Sequence, residues 1–83
     1  MDKDKMNEDS KRIWKGATDV FIDLERLRMV ILNIKISVAK VNTEEHRALS
    51  TIADYLAESI DRIEEKTKEI RELSKSIGKE INK

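Results

Sequence analysis

The sequence predicts an all-α protein, and three observations predict it. The 83 residues contain no proline and only two glycines, Gly16 and Gly78, so little interrupts a helix. Apolar residues recur in alternating steps of four and three along most of the chain, the period of helices packed lengthwise on one another. Charged residues make up 41% of the chain, enough to keep the remaining helix faces in water. The expected architecture is an antiparallel two-helix hairpin, one domain over residues 1–83, assembling as a dimeric four-helix bundle of coiled-coil character.

The first helix is expected over about residues 8–41. Its heptad seam runs Ile13, Ala17, Val20, Leu24, Leu27, Ile31, Ile34, Val38, Val41. A second apolar stripe, Ile22, Met29, Leu32, Ile36 and Ala39, lies roughly 150° around the same helix at about 100° per residue. A helix with two apolar sides needs two neighbours, and a chain this short supplies one from within itself. The stripe is therefore expected to meet a second copy or a foreign protein. Within this helix, Leu32-Asn-Ile-Lys-Ile-Ser-Val38 alternates apolar and polar and has strand propensity. No turn residues bound it and the seam continues on both sides, so it reads as helix.

The turn is expected at residues 42–43. Asn42 or Thr43 can cap the next helix, and Glu45 can close a capping box on Asn42. The second helix then spans about residues 44–77, with Gly78 as its stop and a frayed tail over 78–83. Its seam runs Leu49, Ala53, Leu56, Ile60, Ile63, Thr67, Ile70, Ser74, Ile77, Ile81, one residue out of phase with the first. That slip also fits one continuous rod with a skip residue, about 105 Å long at 1.5 Å per residue. Matched arm lengths, the cap signal and opposite net charges of the two halves, +2 for 1–41 and −2 for 42–83, favour the hairpin. Folding about Asn42 sets Leu27 against Leu56, Val20 against Ile63 and Ile13 against Ile70, within a residue. Leu73, Ile77 and Ile81 then extend beyond the first helix's seam.

No catalytic, metal-ligating or cofactor-binding set emerges. Without cysteine there is no disulfide framework and no thiolate chemistry. His46, the only histidine, follows Glu44-Glu45, but the Glu-x-x-His spacing of metal-binding bundles meets Thr43 instead of a carboxylate. Asp54, Glu58, Asp61 and Glu65 form an acidic stripe opposite the seam, where a solvated face is expected anyway. No glycine-rich phosphate loop and no nucleophile with a base beside it is present. The chain reads as a non-enzyme without cofactors.

Trp14 and Phe21 stand seven residues apart at the edge of the first seam, and Arg28 and Lys35 continue their line. Self-association or partner binding is the expected use of Trp14, Phe21, Ile22, Met29, Leu32 and Ile36. A nucleic-acid binder would instead use Lys11, Lys15, Arg28 and Lys35, but 17 cations balance 17 anions and leave no net field to attract a polyanion. No run of about 20 apolar residues suits a membrane span. The expectation is a cytoplasmic homodimer acting as a protein-interaction module: an adaptor, a chaperone-like subunit or an inhibitor. A dimeric hairpin that binds nucleic acid and a structural coiled-coil rod remain as alternatives.

Overall fold

Two long helices, joined by a short turn, run antiparallel in a computed structural model that describes residues 2–41 and 43–82. Helix α1 spans Lys3–Val38 and helix α2 spans Glu44–Ile81. The Cα atoms fill a slab of 61 × 15 × 15 Å, so the single rod of about 105 Å is not the form adopted.

Local chemistry fixes the ends. Asp2 caps α1, its carboxylate accepting the Asp4 N–H at 2.9 Å, which satisfies one of the orphan donors of the first turn. The helix therefore starts five residues or so before the expected start, because a cap and an acidic first turn precede the apolar seam. It ends at Val38, before the expected 40–41. Lys40 and Val41 donate to the Ser37 and Val38 carbonyls, tightening the last turn. Thr43 caps α2, its hydroxyl accepting the His46 N–H at 3.3 Å. The capping role considered for Asn42 lies outside the described residues.

Gly78 does not stop α2. The helix passes through it to Ile81, where Asn82 closes the end by donating from both its backbone N–H and its side-chain amide to the Gly78 carbonyl. Ile81 is buried, and the early start of α1 is what covers it. The expected frayed tail over 78–83 is thus helical through Ile81, and Ile81 is not left overhanging.

The contact between the helices is narrow. Ser10, Ala17, Leu24 and Ile31 on α1 are buried at strict intervals of seven, as are Ala53, Ile60, Thr67, Ser74 and Ile81 on α2. The register is read from the Ser10–Ser74 pair, where the Ser10 hydroxyl donates to the Ser74 carbonyl at 2.6 Å and the Ser74 hydroxyl donates back to the Ser10 carbonyl. Stepping inward by seven puts Ala17 across from Thr67, Leu24 across from Ile60 and Ile31 across from Ala53, one residue from the expected register. Leu24, Ile31, Ala53 and Ile60 form the core cluster, with Ala57 packed on it. Small side chains dominate this line, and Thr67 satisfies its buried hydroxyl on the Ile63 carbonyl of its own helix at 2.7 Å.

Only half of each expected seam is enclosed. Ile13, Val20, Leu27 and Ile34 of α1, Val41 just beyond its end, and Leu49, Leu56, Ile63, Ile70 and Ile77 of α2 all remain 37–51% exposed. A two-helix contact buries one line from each helix, and the line that includes the small residues takes it because they allow the backbones to approach. Leu27, Val30, Ile34, Leu56 and Ile63 border one shallow apolar groove, so the outturned residues of both helices share a side of the hairpin.

The serine pair generates a stability prediction. Ser74→Ala removes the hydroxyl that donates to the buried Ser10 carbonyl and costs about 1 kcal/mol in urea unfolding. Each hydroxyl donates to a backbone carbonyl that the other substitution leaves in place, so Ser10→Ala with Ser74→Ala costs close to the sum of the single changes; a Ser74→Ala chain as stable as wild type would contradict the paired reading.

Candidate interaction surfaces

The side of the hairpin away from the apolar groove carries the polar contacts. At 51° from the buried line in heptad terms stand Trp14, Phe21, Arg28 and Lys35 of α1, with Ser50, Ala57, Glu64, Arg71 and Gly78 of α2 facing them. Arg71 lies over both rings, its guanidinium carbon 4.5 Å from the Trp14 centroid and 5.9 Å from that of Phe21. The Arg71 Nε is buried with no hydrogen-bond partner, so ring contact takes the place of that bond. The cation that meets the aromatic pair therefore comes from the opposite helix, not from Arg28 and Lys35 along the same line. Nothing within α1 signals this. The signal lies in α2, where Arg71 falls one residue after the seam position Ile70.

Arg28 and Lys35 are engaged elsewhere. Arg28 Nη2 donates to Asp61 at 2.7 Å and meets Glu64 at 3.0 Å, and Lys35 Nζ lies 2.6 Å from Asp54. Two members of the acidic stripe, Asp54 and Asp61, thus clamp α1 to α2. The hydrogen bonds from Arg28 to Asp61 and then Glu64 raise its pKa further above the ordinary guanidinium value. Lys15 pairs with Asp19 at 3.5 Å along its own helix. Of the four cations considered for nucleic acid, only Lys11 is without a described carboxylate contact, and it borders a shallow hollow with Trp14, Asn7 and Lys75.

Glu25 stands beside this cluster. A hydrogen bond with Glu64 pushes its pKa up, followed by partial desolvation and repulsion from the Glu64 charge, while Arg28 pulls the other way. Glu64 Oε1 is buried without a donor, so a proton on Glu25 gives the carboxyl pair a bond that it lacks when both are ionised. His46 is half-buried at the turn with its Nδ1 on the Thr43 hydroxyl. No cluster of three or more His, Asp or Glu able to hold a metal occurs among the described residues, and no helix is long and apolar enough to cross a membrane.

The expected interface residues do not form one patch. Trp14 and Phe21 belong to the polar side under Arg71. Ile22, Met29, Leu32 and Ile36 lie together farther around α1, 45–60% exposed. The larger apolar surface is the two-helix face of ten residues described above, which arises because half of each seam is turned outward. It was missed because both lines of a heptad look equally enclosed in a sequence. Compared with protein-family models, curated proteins and solved structures, the chain matches none.

Two measurements test this side of the hairpin. Arg71→Ala loosens the contact with Trp14, the sole tryptophan, and shifts its emission; a double-mutant cycle with Trp14→Leu returns a coupling of roughly 0.5–1 kcal/mol. A coupling of zero would remove the stacking argument. The raised Glu25 pKa means that the folded chain holds that proton more tightly than the unfolded one does. The stabilisation is full below the unfolded value and is lost as pH rises through the folded value. Glu25→Gln, neutral at every pH, is expected to melt above wild type at pH 7 and with it at pH 4; a variant melting below wild type at pH 7 would contradict the assignment.

Proposed function

We propose that this chain is a small protein-interaction module, an adaptor, chaperone-like subunit or inhibitor, whose working form is a self-associated helical bundle. The observation that carries the reading is surface left over by the fold. The isolated hairpin exposes 6613 Å², whereas a folded monomer of its 9.7 kDa exposes about 5,100 Å². Its radius of gyration is 18.6 Å, against about 12 Å for a compact domain of this length. Large apolar side chains on both helices contribute to it, among them the ten residues of the two-helix face, 37–51% exposed.

Uncovered apolar area on this scale drives association. A dimer gives the hairpin what it lacks, a second layer, and yields the four-helix bundle. The same surface supports a binding reading: its features are aliphatic faces and interhelical ion pairs. Light scattering behind a sizing column at micromolar concentration tests the reading. The expected mass is a multiple of 9.7 kDa, with the dimer favoured; a clean 9.7 kDa monomer would contradict it.

A further inference from the structure

Resting on that reading, we infer that the second copy seats on the two-helix face, with the two-fold axis running along the hairpin and both turns at the same end. The α1 stripe of Ile22, Met29, Leu32 and Ile36 then stays on the outside of the dimer.

Area selects the face. Its residues run from Ile13 to Val41, about 42 Å at 1.5 Å per residue, across the 15 Å width of the hairpin. That is about 600 Å² per copy and about 1,300 Å² for the pair, at the lower end of the range of stable interfaces at 1,200–2,000 Å². It lies at the upper end of the largest apolar patch that typical monomers leave exposed, about 300–600 Å². The stripe is four side chains on the rounded back of one helix, and two such ridges meeting enclose far less.

Side-chain size points the same way. Between the two helices of one hairpin Leu24, Ile31, Ile60 and Ile81 alternate with Ala17, Ala53, Thr67 and the Ser10–Ser74 pair, whose small side chains let the backbones close up. On the outward face stand only Ile, Leu and Val. Mixed small and large residues within the pair and only large ones toward a second layer suit a four-helix bundle, where the cavity between four axes is wider than that between two. No charged residue occupies any of the ten face positions, so burying the face strands no ion.

The flanks choose the two-fold. One heptad step beyond the face the charged positions are Asp9 and Asp23 on α1 and Glu45, Lys66 and Glu80 on α2, with Val30 and Ile52 among them. With turns at the same end, α1 of one copy lies over α2 of the other, bringing Asp23 within side-chain reach of Lys66 and Val30 beside Ile52, against one like-charge approach, Asp9 to Glu80, at the far end. With turns at opposite ends, α1 lies over α1 and α2 over α2; Asp23, near the midpoint of its helix, meets its own copy, Glu45 falls level with Glu80, and no opposite charges pair. Like charges facing each other at the rim of an interface oppose that arrangement.

The test combines charge insertion with a distance. In Leu27→Glu a carboxylate from each copy enters the bundle centre, and the dimer weakens by roughly a hundredfold or more. Leu32→Glu, on the stripe, leaves the mass unchanged. A Leu27→Glu chain that keeps the dimer mass, or a Leu32→Glu chain that loses it, overturns the assignment of the face. Because Leu27→Glu can also unfold a hairpin that needs its partner, a nitroxide on Glu45→Cys in the otherwise wild-type chain gives an independent readout. The chain has no other cysteine. Turns at the same end put the two labels about 20–30 Å apart, the width of a four-helix bundle. A separation near the 61 Å hairpin length overturns the two-fold. A wild-type chain that is monomeric overturns the association reading itself, which the variants leave separate from the choice of face.

Discussion

Two helices lying side by side bury one line of residues from each, and the organisation of this protein depends on that limit. The line here is Ser10, Ala17, Leu24, Ile31 against Ser74, Thr67, Ile60, Ala53. Its small members bring the backbones together, and its hydroxyls all donate to backbone carbonyls, those of Ser10 and Ser74 across the pair and that of Thr67 on its own helix. A core this thin contributes little hydrophobic stabilisation, since that scales with apolar area removed from water. The hairpin compensates along one edge with Arg28 between Asp61 and Glu64, Lys35 on Asp54, and Arg71 over the rings of Trp14 and Phe21. Those contacts are partly exposed and individually modest. They orient the helices about their long axes more than they hold them together.

That orientation has a consequence on the opposite edge. Because the polar clamp occupies one side of the buried line, the large aliphatic residues of both heptads rotate to the other side. The result is a hairpin with a polar edge closed by ion pairs and an apolar face of ten residues left open. The same rotation that binds α1 to α2 through charge presents the surface on which a second copy is proposed to dock. Clamp and face are two outcomes of one helical phase.

Much of the fold was legible in the chain. The absence of proline and the sustained heptads specify helices, Thr43 and the one-residue phase slip locate the turn, and matched arms specify the hairpin. The interhelical register came within a residue because both seams count from the same turn. The ends were less legible. Gly78 has the composition of a stop, yet the helix passes through it because burying Ile81 and capping with Asn82 outweigh a helix-interior glycine, a cost of about 1 kcal/mol. The division of each seam into an enclosed line and an open one was not legible at all. A heptad lists both lines as apolar, and the choice between them rests on interhelical contacts such as Arg71 with Trp14, which join residues 57 positions apart. The stripe of Ile22, Met29, Leu32 and Ile36 was visible in the sequence as a second surface, whereas the broader face was hidden within the first.

The central claim is that the hairpin is half of a core, completed by another copy of itself. Thermal unfolding followed by circular dichroism over a hundredfold range of chain concentration tests it most directly, because folding coupled to association obeys mass action. The account predicts a single transition whose Tm rises steadily with concentration. A Tm that does not move across that range would mean that the hairpin stands alone and would contradict the account.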